Sequence, residues 1–328
     1  MVLRGLGILV GAVVLIVVVF AALHYYPSKP VAELRALYTY PTDEPGASQF
    51  VTIEGMDVHY RELGEGHPLL LLHGTGASLH TWETWSERMQ DTFRVVSLDL
   101  PAYGLTGPHP EGDYSVAMYL RLLDALAEHL GIDSCFIAGN SFGGMIAWEY
   151  AHHRPERVRK LILVNASGLP REQPNSSLGI RLARNAYTAP ILHRITPRFL
   201  YRKSLEEVYH NDELVTDRLV QQYHDFTLRE GNRRAFTDRV QQPYEDRSYL
   251  VADIQQPTLV MWGSHDTWIP PLYGHRFDSL LPHSTLLLYE NTGHIPMEER
   301  PIQSAVDARA FLLGEMAMDS MIVRIYGE

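Results

Sequence analysis

The chain has 328 residues, 45% of them hydrophobic and 20% charged, a globular composition that excludes a disordered or fibrous polymer. Lys plus Arg number 28 against 39 Asp plus Glu, and the resulting net charge of −11 argues against nucleic acid as a partner. The single cysteine, Cys135, rules out an intrachain disulfide and a cysteine-built zinc site.

Gly5 to Leu23 is a run of 19 residues without a charge, and Tyr25-Tyr26 follow it. At about 1.5 Å rise per residue such a run roughly matches the ~30 Å hydrocarbon core of a bilayer, and tyrosines suit its interface. The expectation is one N-terminal transmembrane helix within residues 1–26 that anchors the chain to a membrane. The catalytic part would then lie on the non-cytoplasmic side. The alternative is a signal peptide cleaved near Val19-Phe20-Ala21, leaving a secreted or periplasmic protein. Residues 27–49, punctuated by Pro27, Pro30, Pro41, Pro45 and Gly46, read as a linker with a short helix at 31–38.

From residue 50 the chain alternates strands and helices. Strands at 50–53 and 56–63 flank Glu54-Gly55 as a hairpin. The apolar run 69–72 has the pattern of a strand buried on both faces. Thr84 and Glu87 have capping-box spacing within a helix over 80–91. A strand at 94–98 ends at Asp99. Ser115 is an expected N-cap for a helix that Gly131 stops, with Leu122, Leu123, Leu126 and Leu130 at helical spacing. Then come a strand at 135–138, a helix at 142–153 and a strand at 158–164. The rhythm breaks over 170–253, which reads as a mostly helical cap with helices at 205–215 and 219–228. It resumes with strands at 258–262 and 284–289 and a helix at 301–313. The fold class is therefore α/β, a mostly parallel doubly wound sheet (core 50–169 and 254–328) with a helical insertion. The tail 316–328 is assigned no element; packing as an extra element and self-association are both open for it.

Gly139-Asn140-Ser141-Phe142-Gly143-Gly144 lies between a strand and a helix. G-x-S-x-G in that setting is a nucleophile elbow, with small residues where strand and helix approach. Its turn strains Ser141 and presents the hydroxyl at a helix N-terminus that favours a developing anion. A serine hydroxyl needs a base. His294 follows the last long strand and Asp266 the one before it, both at the carboxyl edge, and the order Ser141, Asp266, His294 is that of a nucleophile, its orienting acid and its base. His265, beside Asp266, is read as incidental.

The motifs His73-Gly74-Thr75-Gly76, Asp99-Leu100-Pro101-Ala102-Tyr103-Gly104, Gly139 to Gly144, Gly263-Ser264-His265-Asp266 and Gly293-His294-Ile295-Pro296-Met297-Glu298 together resemble a cap-bearing α/β-hydrolase over residues 50–314. The resemblance implies a serine esterase or lipase-like enzyme. It assigns the oxyanion-hole N–H groups to Thr75 and Phe142 and structural roles to His73, Asp99 and Glu298. Ala102 stands where that family commonly has glycine. The implied reaction is carboxylic ester hydrolysis through an acyl-enzyme, with no metal or organic cofactor required and a small-molecule ester as substrate, a lipid-like ester among the options. Hydrolysis of carbon–carbon bonds in ring-cleavage diketones ranks second, and a cofactor-free haloperoxidase-like activity ranks third. A non-catalytic scaffold on the same fold would have a broken triad. Between Arg171 and Lys203 seven basic residues face one acid, Glu172, with apolar Ile180, Ile191, Leu192, Phe199 and Leu200 among them. This is read as a solvated cap face with its apolar side over the pocket; the alternative is a surface against anionic lipid.

Overall fold

In the computed structural model, residues 2–171, 177–243, 245–316 and 324–326 are described. The chain begins with helices α1 (Val2–Leu23) and α2 (Val31–Tyr38). Strands β1 (Ser48–Ile53), β2 (Met56–Leu63) and β3 (His67–Leu72) follow, then α3 (Glu83–Met89), β4 (Phe93–Leu98), α4 (Val116–His129), β5 (Cys135–Asn140), α5 (Phe142–His153) and β6 (Val158–Val164). Among the described residues the cap helices come next: α6 (Leu178–Arg184), α7 (Ala189–Leu192), α8 (Arg198–Val208), α9 (Asp217–Leu228) and α10 (Asn232–Val240). The chain then returns to the sheet with β7 (Thr258–Gly263), α11 (Leu272–Leu280), β8 (Ser284–Tyr289), α12 (Pro296–Glu299), α13 (Pro301–Leu313) and β9 (Arg324–Tyr326).

The strands form one sheet in the order β1-β2-β4-β3-β5-β6-β7-β8-β9. The β1–β2 and β2–β4 pairs are antiparallel and the rest parallel. The β1–β2 turn has positive φ at both Glu54 (47°) and Gly55 (76°), the left-handed pair a tight hairpin needs. Alternation along each strand divides the core in two. Leu70, Leu72, Val96, Ile137, Val260 and Trp262 face α4, α5 and α11, whereas Leu69, Leu71, Val95, Ala138, Leu259 and Met261 face α3 and α13. Period-two side chains with apolar residues on both faces require helices on both faces, because each buried Leu or Ile contributes about 1.5–3 kcal/mol only when covered.

Several elements differ from expectation. The helix expected over 80–91 is a 3₁₀ turn, Leu79–Trp82, running directly into α3, so Thr84 lies inside the helix and its capping box does not form. The helix expected at 205–215 starts earlier and stops at Val208. Pro197, with φ −59°, suits a helix start, and Tyr209 is extended. By contrast α4 starts where its N-cap predicts, with Met118 N–H donating to Ser115 Oγ at 3.2 Å. The tail contributes a short edge strand, β9, parallel to β8; residues 317–323 and 327–328 lie outside the described residues.

The apolar N-terminal run forms α1, of which the side chains of residues 2–8, 10, 14 and 17 lie outside the described set. Among the described residues no helix is long and apolar enough to cross a membrane. The expected anchor therefore lacks support at this level.

The stretch after α1 is packed along the cap. Lys29 N–H donates to Leu228 O at 2.7 Å, and Glu230 N–H returns a bond to Lys29 O at 3.0 Å. Arg233 donates to Tyr26 O and Ser28 Oγ at 2.9 Å each. Leu34 of α2 is buried against Leu105 and Phe226.

Candidate active site

The elbow is built by close approach of backbones. A Cβ on Gly139 would lie 2.3 Å from Gly143 O, one on Gly143 2.3 Å from Leu72 O, and one on Gly144 2.6 Å from the Ala166 Cβ. A side chain at these positions would force α5 away from β5, from the end of β3 or from Ala166. Ser141 between them is held at φ 52°, ψ −114° by hydrogen bonds on both sides: its N–H donates to Val164 O at 3.0 Å, and its carbonyl accepts from Ser167 N–H at 2.9 Å. A non-glycine residue at positive φ costs on the order of 1–3 kcal/mol and persists only where its surroundings impose it. Met145 N–H is the first to reach back to Ser141 O, so the N–H groups of Phe142, Gly143 and Gly144 have no acceptor within the helix.

Asp266 and His294 sit on loops after β7 and β8. His294 Nδ1 and Asp266 Oδ2 are 2.7 Å apart, both residues being 3% exposed. The carboxylate is held on every side. Oδ1 accepts from Trp268 and Ile269 N–H at 2.8 Å each, and Oδ2 also accepts from Asn165 Nδ2 at 2.6 Å. An acceptor-only group with four donors has one orientation. It fixes the imidazole with Nδ1 donating, which leaves Nε2 as the free lone pair. That Nε2 is buried and makes no hydrogen bond among the described residues. It lines the same cavity as Ser141 without the third link closed, a looseness common in sites without substrate. His265, by contrast, is exposed, bonds Ser264 and stacks on His210.

The backbone of His294 is also tied down. Its N–H donates to Val208 O of the cap at 2.7 Å, and its carbonyl accepts from Asn140 Nδ2 at 3.1 Å. Beside it, Glu298 accepts from the hydroxyls of Thr81, Tyr209 and Tyr223, and Glu299 accepts from the N–H groups of His210, Asn211 and Gly293. Burial pushes both carboxyls above their ordinary value, and the donors only partly reverse this. These two carboxylates stitch the cap segment 208–211 to the histidine loop.

His73 and Asp99 brace the loops around Thr75. His73 Nε2 accepts from Leu100 N–H at 2.9 Å and Nδ1 donates to Gly74 O at 2.8 Å, a neutral tautomer consistent with burial lowering its pKa. Asp99 is fully buried. Burial alone would raise it, but the His59 ring and the Leu79 and Leu105 N–H groups more than offset this and hold it at about 2. Ala102 takes φ +79°, the backbone that glycine would supply.

The cavity above Ser141 encloses about 1200 Å³ including its open mouth and is mostly apolar. Ile180, Leu192 and Leu200 of the basic cap stretch line it, whereas Ile191 and Phe199 are exposed. The apolar side of that stretch is thus divided between pocket and surface. Sequence reasoning did not single out Asn140, Asn165 or Glu299. Asn165 follows β6 at the carboxyl edge, where sites in open α/β sheets lie, and that position was the available signal.

Residues 67–301 match the alpha/beta hydrolase fold family. A protein of Mycobacterium tuberculosis of no stated activity is 30% identical over 270 residues, 78% of each chain. A 2-hydroxy-6-oxononadienedioate/2-hydroxy-6-oxononatrienedioate hydrolase of Pseudomonas putida is 28% identical over 271 residues, 78% of this chain and 93% of the relative. The structure is similar to that of a bacterial membrane phospholipase A at 25% identity and TM-score 0.69, covering 95% of this chain and 97% of the other. The extent of the family match, together with the sheet order and the elbow, makes this chain a member of the alpha/beta hydrolase fold family.

Proposed function

We propose that the protein is a serine hydrolase that cleaves carboxylic esters through an acyl-enzyme. The observation that carries this is a histidine fixed by Asp266 at Nδ1, with Nε2 buried and unpartnered in the cavity that holds the strained Ser141. His294 Nε2 takes the Ser141 hydroxyl proton as Oγ bonds to the ester carbonyl carbon. Asp266 stabilises the imidazolium, and the N–H groups of Thr75 and Phe142 receive the oxyanion. Collapse breaks the carbon–oxygen bond, His294 returns the proton to the departing alcohol, and water repeats the sequence on the acyl-enzyme. Ser141→Ala is expected to abolish both ester turnover and fluorophosphonate labelling while circular dichroism stays unchanged. Labelling at a different residue, or turnover comparable to wild type, would overturn the assignment; an unlabelled wild-type protein would favour a scaffold.

A second reading, hydrolysis of a carbon–carbon bond in a ring-cleavage diketone, is favoured by the similarity to the Pseudomonas putida enzyme. The same serine chemistry serves both. A panel of aryl and acylglycerol esters against a dienoate diketone separates them by kcat/KM.

We also propose that α1 holds the protein at a membrane. Exposed Leu9, Val13, Leu15, Ile16, Val18 and Val19 along it, and the similarity to a membrane phospholipase A over 95% of the chain, support this. Retention in the membrane pellet after an alkaline carbonate wash, lost when residues 1–24 are removed, is the expected result. Equal solubility of the two forms would refute it.

A further inference from the structure

Behind two residues of the cavity wall, Thr75 and Tyr103, stands a positive charge that ester cleavage does not use. Arg239 of α10 reaches down from the cap to the loop after β3, and its Nη2 donates to Thr75 Oγ1 at 3.1 Å. The guanidinium carbon stands 4.3 Å from the centre of the Phe142 ring and 5.6 Å from that of Tyr103. One cation therefore touches the side chains of both residues assigned to the oxyanion hole. Its Nε makes no hydrogen bond and it joins no ion pair among the described residues. The neighbouring Asp238 pairs with Arg234 instead, at 3.4 Å. A second cation is close: burial and the charge of Arg239 hold the Arg184 guanidinium below its ordinary value.

Tyr103 belongs to the same cluster. It is 3% exposed and lines the cavity, and its hydroxyl interacts with Thr75 and Arg239 without a well-aligned hydrogen bond to any described residue. Buried polar groups are normally paired. A buried phenol whose polar neighbours are Thr75 and Arg239, and a guanidinium without a carboxylate partner among the described residues, converge on Thr75, and one ligand that brings anionic oxygens satisfies both. The planar guanidinium fork matches carboxylate and phosphate oxygens, and the phenol supplies a further donor.

We infer that Arg239 and Tyr103, with Thr75 Oγ1, form a subsite for an anionic oxygen group of the substrate, a carboxylate or a phosphate close to the scissile carbonyl. This rests on the ester-hydrolase reading and narrows its substrate class.

The test uses the full-length protein in detergent with two matched pairs: p-nitrophenyl butyrate against the p-nitrophenyl monoester of succinic acid, and a diacylglycerol against the corresponding phosphatidic acid. Wild type is expected to favour the anionic member of at least one pair by about tenfold or more in kcat/KM, the size of a charged hydrogen bond. Arg239→Gln brings that ratio close to one, Arg239→Lys retains part of it, and Tyr103→Phe lowers it several-fold. Inorganic phosphate inhibits wild type competitively and Arg239→Gln less. Circular dichroism of each variant, and the partial rescue by lysine, separate recognition from misfolding. Preference within the succinate pair identifies a free carboxylate, and preference within the lipid pair a phosphate headgroup; either supports the subsite. No preference in wild type, a ratio unchanged in Arg239→Gln, or equal losses on both members of a pair would overturn it. Failure of wild type to cleave any of the four would instead count against the ester reading itself.

Discussion

The N–H of His294 donates to the carbonyl of Val208 at 2.7 Å, so the loop that carries the imidazole is bonded directly to the last residue of cap helix α8. A Cβ on the adjacent Gly293 would lie 2.3 Å from the same carbonyl, which leaves glycine alone able to let the two backbones meet. In this arrangement the cap both roofs the cavity and forms one wall of the histidine's support.

Glu299 completes that support by accepting from His210, Asn211 and Gly293 N–H. Glu299→Ala strands three donors in a half-buried place. It is expected to lower stability by about 2–3 kcal/mol and to reduce kcat, because the histidine loop loses its tie to the cap. Denaturant midpoints with steady-state kinetics check this; an unchanged midpoint would show the contacts to be incidental.

Asn165 donates to Asp266 Oδ2 at 2.6 Å from a backbone at φ 45°, a conformation asparagine tolerates better than most residues. Asn165→Ala frees one side of the carboxylate and strains the backbone. A fall of about tenfold in kcat with little change in KM is expected if His294 acts as the proposed base, since the bond orients its carboxylate partner and does not touch the substrate. A change confined to KM would contradict that role.

Ala102 sits at φ +79° and is 1% exposed. Ala102→Gly relieves about 1–2 kcal/mol of strain, but it adds about 0.4–1 kcal/mol of unfolded-chain entropy and removes a buried methyl worth about 0.8 kcal/mol. The effects nearly cancel, so stability is expected to change by less than about 1 kcal/mol. This accounts for the tolerance of alanine at a position suited to glycine. A thermal or denaturant shift well outside that range would show that another force holds the loop.

His80 packs among Tyr38, Tyr40 and Phe226, and burial lowers its pKa to about 4. Below about pH 6.5 the unfolded chain takes up a proton that the folded chain refuses until about pH 4, so this residue costs stability as pH falls through that window. Glu298 and Glu299, raised by burial, act in the opposite sense, gaining stability as pH falls. Comparison of wild type with His80→Gln isolates the histidine. Wild type should lose about 2 kcal/mol relative to the variant between pH 7 and pH 4.5. Parallel stability curves would refute it.

The sheet and the elbow were legible in the sequence because their causes are local. Period-two apolar runs such as Leu69–Leu72 state that both faces are covered, and Gly139, Gly143 and Gly144 mark where backbones must touch. The placing of Ser141, Asp266 and His294 at the carboxyl edge was legible because strand ends announce that edge. The cap was harder. Its helices take their bounds from what they pack against, which is why α8 begins at Arg198 rather than near residue 205. Strand β9 was not anticipated, because an edge strand of three residues carries no period. Only the tertiary structure placed Asn165 on Asp266, Glu299 between cap and histidine loop, and Arg239 over Phe142. Asn165 and Asp266 are 101 residues apart and Glu299 and His210 are 89 apart, and such meetings are decided by tertiary packing rather than by any pattern within a segment.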